Sequence, residues 1–290
     1  MKKILVPVDF SGHTDIACTY ALEIAAKGGA VIRLFHTYSD QFIIADSSFP
    51  DAIDMSTMYN EELLKEIFHQ SEKKMENLQA GLDEQIRKNN WKNIEFQVTL
   101  VGGEIESELN DLCKEFQPDL VVMGTRGTGK TLNMWGRVST HIINHSRIPV
   151  LTVPDMKKFR GFQKIMLAAD LSGKNEDSVR EIFTLFSAFP FHVYCIHFLI
   201  KEDNSEEQEK MEKLRTLFEK EEKSGKIFFK IVEVQDDKQA AINHVIESLS
   251  IDLIAFQPHK HGLFYNLFTR KITKKDLQAA NVPLLALPLC

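Results

Sequence analysis

The sequence predicts an α/β protein built twice over, as two tandem domains, each with a mainly parallel five-stranded sheet sandwiched by helices. Three observations carry this expectation. The chain has 290 residues, more than the roughly 100–200 of a typical single domain. Its two halves repeat one another in order. Within the first half, short β-branched runs alternate with longer segments of helical period, as a parallel, doubly wound sheet requires.

The repeat is read from four ordered matches. Lys3-Ile4-Leu5-Val6-Pro7-Val8-Asp9-Phe10-Ser11 aligns with Lys164-Ile165-Met166-Leu167-Ala168-Ala169-Asp170-Leu171-Ser172. Val31–His36 then falls on His192–His197, and Asp119–Val122 on Asp252–Ala255. The segment Ile148–Pro154 matches Val282–Pro288. A duplication with domains over 1–156 and 157–290 follows, joined by a basic, polar linker near Asp155–Phe162. The second copy is the shorter, with its main deficit between the second and third strands.

In the first copy the strands are expected at Lys3–Val8, Val31–His36, Glu95–Val101, Leu120–Met123 and Val150–Val153. They lack strict polar/apolar alternation, as strands covered on both faces do. Helices are expected near Thr14–Lys27, Asn60–Lys88, Ile105–Phe116 and Val138–Ser146. The long second helix carries Leu63, Leu64, Ile67, Met75, Leu78, Leu82 and Ile86 at helical spacing. This is a flavodoxin-like pattern, and its ligands bind beyond the carboxyl ends of the strands, at a topological switch point.

Composition bounds the function. Hydrophobic residues make up 43% and charged residues 26%, as in soluble globular proteins. The net charge of −6 argues against general nucleic-acid binding, which needs a basic face. Cys18, Cys113, Cys195 and Cys290 form neither a CxxC pair nor a zinc-ligand spacing, so a reduced, cytoplasmic protein is expected. The apolar run Ile4–Val8 is too soon interrupted by Asp9 for a signal peptide. No apolar stretch approaches the roughly 20 residues of a membrane span.

The sharpest local signal is Gly124-Thr125-Arg126-Gly127-Thr128-Gly129-Lys130-Thr131, after an apolar strand and before a helical pattern. Two readings stand. Literally it satisfies the Walker A pattern, in which glycines let backbone amides crowd around phosphate while Lys130 and Thr131 reach phosphate and magnesium. Yet a P-loop ordinarily follows the first strand of its domain, and this loop follows the fourth. The second reading takes Gly124-x-x-Gly127 together with Gly136-Arg137-Val138-Ser139, which begin a helix whose amino end offers amides and positive partial charge. Lys130 separates the two: essential to the first, incidental to the second.

The second reading resembles the signature of the universal stress protein family (UspA-like), here in a tandem two-domain form. The resemblance extends to Val6–Ser11 at the first strand, His36 closing the second, Val101-x-Gly103 before the third helix and Pro149-Val150-Leu151 at the last strand. It implies the adenine nucleotide alpha hydrolase-like fold and an ATP site, with or without Mg, in the first domain. On that resemblance the site residues are Pro7, Val8 and Asp9 at the adenosine, Thr37 at the adenine, Met123, Gly124, Arg126 and Gly127 in the loop, and Gly136, Arg137, Val138 and Ser139 at the helix start. Two departures stand out. The gap from Gly127 to Gly136 is about one residue short of the family pattern, and Arg137 replaces a Ser or Thr. Arg137 then either adds a charge-assisted phosphate bond or blocks the site. Without the resemblance, Asp9 reads as a helix N-cap with Ser11 competing, Gly124 and Gly127 as a turn needing positive φ, and Arg137 as a solvated helix residue.

The second copy reads Ala255-Phe256-Gln257-Pro258-His259-Lys260-His261-Gly262 at the loop. The first two glycines are gone, so this domain is expected to hold no triphosphate and to serve packing and partner contacts. Family pairing along the last strands implies an intramolecular pseudo-dimer, and a homodimer of such chains is plausible. His259-x-His261 and His141/His145 lack further ligands and read as loop and packed residues rather than metal sites. His36 and His197 end equivalent strands and read as structural hydrogen-bonders. Gly-x-Ser-x-Gly is absent and no general base is positioned, so at most slow ATP hydrolysis is expected. The stretch Asp40–Met58 reads as a lid or partner surface, and Lys201–Lys226 as a solvated helix. Two functions stay open: an ATP-binding regulatory protein of the stress response, or an interaction module of the same fold that binds no nucleotide.

Overall fold

The computed structural model describes residues 1–38, 50–125, 137–154, 159, 161–199, 205–234, 237–258 and 282–288, with the backbone alone at 50–60, 137, 138, 140, 145 and 238. In chain order the first half forms β1 (Lys2–Pro7), α1 (Gly12–Gly28), β2 (Ala30–Tyr38), α2 (Pro50–Asn89), β3 (Ile94–Gly102), α3 (Ile105–Phe116), β4 (Leu120–Gly124), α4 (Arg137–His145) and β5 (Val150–Val153). The second half forms β6 (Lys164–Ala168), α5 (Asn175–Leu185), β7 (His192–Leu199), α6 (Ser205–Leu217), α7 (Glu219–Lys223), β8 (Ile227–Glu233), α8 (Lys238–Leu249), β9 (Leu253–Phe256) and β10 (Leu284–Ala286).

These are two doubly wound α/β units, five strands each, joined in one ten-stranded sheet ordered β3-β2-β1-β4-β5-β10-β9-β6-β7-β8, so each unit runs 3-2-1-4-5 and not in the flavodoxin order 2-1-3-4-5. The order reads alike from either end. Every pairing is parallel except the central one, where β5 meets β10 antiparallel through Thr152↔Leu284, Leu151↔Leu285 and Val150↔Ala286. Thr152 Oγ1 adds a bond to the Leu284 carbonyl at 3.2 Å, inside the sheet.

The strands are buried on both faces, which explains their unbroken apolar runs. In β1, Ile4 and Val6 enter one core with Leu22, Met75, Phe162, Val179 and Phe186. Leu5 enters the other, with Leu109, Phe116, Ile142, Ile246 and Ile254. Each core thus draws on both halves of the chain. Phe162 lies between them, with ring centroids 4.7 Å from Phe186 and 6.4 Å from Tyr20.

Paired lysines and aspartates fix β1 and β6 beside their neighbours. Lys3 Nζ donates to the Phe116 carbonyl ending α3 (3.0 Å), and the Lys3 amide donates to Asp119 Oδ2 (2.7 Å). In the second half Lys164 Nζ donates to the Leu249 carbonyl ending α8 (2.8 Å), and the Lys164 amide donates to Asp252. A lysine on the last carbonyls of a helix satisfies groups that have no partner within it.

Three expectations are corrected. The second helix begins at Pro50, well before Asn60. Proline suits a first helical position because its missing N–H would have no intrahelical partner there. Residues 50–58 of the segment read as a lid or partner surface are therefore helical, and 39–49 lie outside the described residues. The run read as one solvated helix is two, parted at Phe218. That ring is buried, 3% exposed, with the Arg180 guanidinium 5.3 Å from its centroid, and its backbone leaves the helical region with φ −116° and ψ 26°. Residues 201–204 of the run lie outside the described residues. Finally, Gly124 is the last residue of β4, in register with Val153, so a left-handed turn does not explain it. Gly103 is the glycine that a turn requires: its φ is 133°, and a Cβ there would sit 2.9 Å from Glu108 Oε1.

Candidate functional site

The switch point lies between β1 and β4, which are adjacent in the sheet while the chain leaves β1 toward β2 on the other side. Pro7 ends β1, and Val8 follows, buried, its amide donating to the Phe35 carbonyl (2.7 Å). Asp9 is half-buried just beyond. Its Oδ1 accepts from the Ser11 amide (3.1 Å), the Ser11 hydroxyl (2.6 Å) and the Thr14 hydroxyl (2.7 Å). Ser11 is the N-cap residue of α1, but its side chain makes no cap bond to the helix. The N-cap reading of Asp9 is corrected: Asp9 instead holds the cap residue and the first turn from outside. Phe10, between them, takes a left-handed φ of 56°.

His36 closes this end of β2. Its Nδ1 lies 2.7 Å from the Val8 carbonyl, and an acceptor there requires the proton on Nδ1. The Phe10 ring packs on it at 4.4 Å between centroids, and Lys74 Nζ of α2 lies 5.7 Å from the centroid of the Phe10 ring. Burial holds the His36 imidazole below its ordinary value. The Val8 bond opposes this, Lys74 adds to it, and Asp9 opposes it. Thr37 is half-buried one residue further, in register with Val101 of β3.

On the other side of the switch point, Met123 is buried and Gly124 half-buried at the end of β4. Thr125 is buried, with its amide bound to the Val153 carbonyl (3.1 Å). α4 starts at Arg137-Val138-Ser139. Ser139 is 3% exposed, and its hydroxyl donates to the Gly124 carbonyl at 3.3 Å. This bond brings the amino end of α4, where backbone amides have no intrahelical acceptor, to the carboxyl end of β4. Helix starts so placed bind anions. Pro7, Val8, Asp9, Thr37, Met123, Gly124 and the Arg137–Ser139 backbone therefore lie at one end of neighbouring strands. Arg126, Gly127 and Gly136 lie outside the described residues, as do Lys130 and Thr131.

Ser11, expected only as a competing cap residue, and Thr14 join this end of the sheet, as do Phe10, expected only as part of the strand-end motif, and Lys74. The first two had a signal: Asp-x-Ser at a strand end before a helix is an Asx-turn pattern. Lys74 had none, because only the fold brings mid-α2 to the end of β2.

A pattern describing the universal stress protein family matches residues 1–154. The chain belongs to the universal stress protein family. It is 26% identical over 155 residues to universal stress protein G of Shigella flexneri, an alignment covering 52% of this chain and 98% of that protein. Across the whole chain it is similar to the structure of a universal stress protein from Archaeoglobus fulgidus, with a TM-score of 0.62 and 16% identity over 99% of this chain and 96% of that one. It is also similar to a putative universal stress protein from Pseudomonas aeruginosa, with a TM-score of 0.55 and 12% identity over 99% and 93%. At these identities the two structures speak for the fold.

The corresponding end of β6 and β9 in the second half of this universal stress protein repeats part of the arrangement. His197 Nδ1 lies 2.9 Å from the Ala169 carbonyl, Leu171 has a φ of 56°, and Asp170 Oδ1 accepts from the Ser172 amide (3.0 Å). Asn175 stands where Thr14 does, its Oδ1 accepting from the Leu171 amide (2.8 Å). Gln257 replaces Gly124 and is buried, with Oε1 lacking a partner, as does Asn175 Nδ2. His259 and His261 lie outside the described residues. Among the described residues no three His, Cys, Asp or Glu side chains are grouped to hold a metal, and no helix is long and apolar enough to cross a membrane.

Proposed function

We propose that this universal stress protein is a stress-response regulator whose first half binds ATP or a related adenine nucleotide. The observation that carries the reading is the Ser139–Gly124 bond, which sets the amino end of α4 beside the glycine that ends β4. An anion there meets amides and the positive end of a helix. Pro7, Val8 and Asp9 lie across the switch point for the sugar, and Thr37 for the base. Arg126, Gly127 and Gly136 are assigned to the phosphates on the sequence pattern, and Arg137 to a charge-assisted phosphate bond. Bound Mg would screen the phosphates. The residues fit such a ligand: one side of the site is glycine backbone, the other a helix start. Among the described residues the one carboxylate of the site, Asp9, is taken up by Ser11 and Thr14 rather than poised as a general base, so the nucleotide acts as a regulatory ligand, turned over slowly if at all.

In this proposal the halves are copies of one unit, 1–156 and 157–290, paired through β5 and β10 as a pseudo-dimer inside one chain, and homodimers are a further level of assembly. The second copy serves packing and protein contacts, with Gln257 where Gly124 would be and Pro258 beside it. The protein acts in the cytoplasm, in keeping with free Cys18, Cys113 and Cys195.

Calorimetric titration of the full chain with ATP tests this. One site per chain is expected. Two equivalent sites would overturn the assignment to the first half, and no heat or competition at millimolar ATP would favour an interaction module without nucleotide.

A further inference from the structure

At the opposite end of the sheet, where the chain enters β4 and β5, a groove of about 790 Å³ opens between α3 and α4. Its volume is that of a small-molecule site. Leu109 of α3 and Ile142 of α4 line it and are nearly buried, at 2% and 6% exposed. Ile148 and Cys113 complete the apolar lining and pack against the same core. Burial pushes the Cys113 thiol up to about 11, so it stands there neutral. Lys114 and Arg147 also line the groove, and among the described lining residues none is acidic. Arg147 is exposed and forms no ion pair with a described residue. Lys114 pairs with Asp111 at 2.7 Å, both largely exposed, and such a solvated pair exchanges partners readily.

An apolar wall with two cations, and no acid among its described lining residues, selects one chemistry. We propose that this groove is a binding site for a small amphipathic anion: a carboxylate on a short aliphatic chain, its tail against Leu109, Ile142 and Ile148 and its head between Lys114 and Arg147. A neutral alcohol of the same length would gain no charge pairing from Lys114 or Arg147. A cation would be repelled by them. The site does not rest on the nucleotide reading, since its lining residues belong to the other ends of β4 and α4, and both sites can fill together.

Cys113 supplies a local reporter. The full chain is alkylated with N-ethylmaleimide with and without octanoate below its micelle concentration, and each cysteine is followed by peptide mass spectrometry. Octanoate should slow Cys113 at least five-fold with a saturable dose dependence, and leave Cys195 unchanged. Octanol at equal concentration should protect several-fold less. Arg147→Glu, a change at an exposed position, should abolish the protection by octanoate, read as the ratio of Cys113 rates with and without octanoate within the same variant. Arg147→Gln should weaken it in part. An unchanged Cys113 rate with octanoate overturns the site. Equal protection by octanol, or full protection in Arg147→Glu, overturns its anion selectivity.

Discussion

The carboxyl end of β1 and β4 and the carboxyl end of β6 and β9 are the same place in the fold, built from different side chains. Both keep an aspartate after the first strand, a left-handed residue after it, and a histidine bonded to the carbonyl two residues before that left-handed residue. They part where the fourth strand of each half ends. Gly124 carries no side chain and its carbonyl takes a hydroxyl from Ser139. Gln257 fills that position and leaves Oε1 buried without a partner. The shared features belong to the fold: they stitch the strand end to the helix that follows. Gly124, which Gln257 replaces in the second half, is the one of these positions that the proposed nucleotide site uses.

The largest expected effect lies in the glycine loop. Gly127→Val should reduce ATP affinity at least 100-fold by calorimetry, because a side chain displaces backbone that must approach phosphate. Lys130→Ala should change it by only a few-fold. A complete loss in Lys130→Ala would instead make the loop a P-loop, and the difference between the halves would then be one of catalysis.

Next comes the aspartate pair. Asp9 is half-buried and its Oδ1 accepts from the Ser11 amide and the Ser11 and Thr14 hydroxyls, whereas Asp170, whose Oδ1 accepts from the Ser172 amide, is exposed, where water competes for its bonds. Asp9→Ala should cost about 1.5–3 kcal/mol in urea unfolding and Asp170→Ala under about 1 kcal/mol. Equal costs would show that the two strand ends are energetically alike.

A smaller pair of opposite sign sharpens the contrast. Ser139→Ala removes a bond to Gly124 and should destabilise by about 0.5–1.5 kcal/mol. Gln257→Leu removes an unpartnered buried carbonyl and should be neutral or stabilising by up to about 1 kcal/mol, read by thermal unfolding. A strongly destabilised Gln257→Leu would mean that this side chain has a role the apolar reading misses.

The smallest effect is a pH slope at His36. Its folded value lies below the ordinary 6.5, chiefly through burial, so the unfolded chain takes up the proton first. Stability is therefore complete above about 6.5 and declines as pH falls from there toward the lowered folded value. His36→Gln should flatten the stability profile between pH 7 and 5, measured by denaturant midpoints. An unchanged slope would assign the acid sensitivity to other groups.

Much of this was legible beforehand. α3 over Ile105–Phe116 and β5 over Val150–Val153 coincide with the periodicity reading, because their ends carry clear stop signals and their apolar positions match one period. The strand-end aspartates and histidines were visible through the repeat. What the sequence withheld is long-range. Lys74 reaches Phe10 only because α2 packs along β2. The break at Phe218 depends on a core that neighbouring residues do not announce, since a charged run around one aromatic looks helical throughout. The groove beside Cys113 is a gap between two helices, and no local pattern encodes a gap.

The central seam has a consequence for how the chain is made. Thr152 and its partner Leu284 are separated by 132 residues. At a synthesis rate of roughly 5–20 residues per second, β5 waits on the order of 7–26 s for β10. During that interval the first half can already close its own four parallel pairings, yet it presents Val150–Val153, an apolar strand, with one side open. An unpaired edge of this kind invites pairing with another chain, so the newborn protein passes through a stage in which a neighbouring nascent copy competes with its own second half for the same seam.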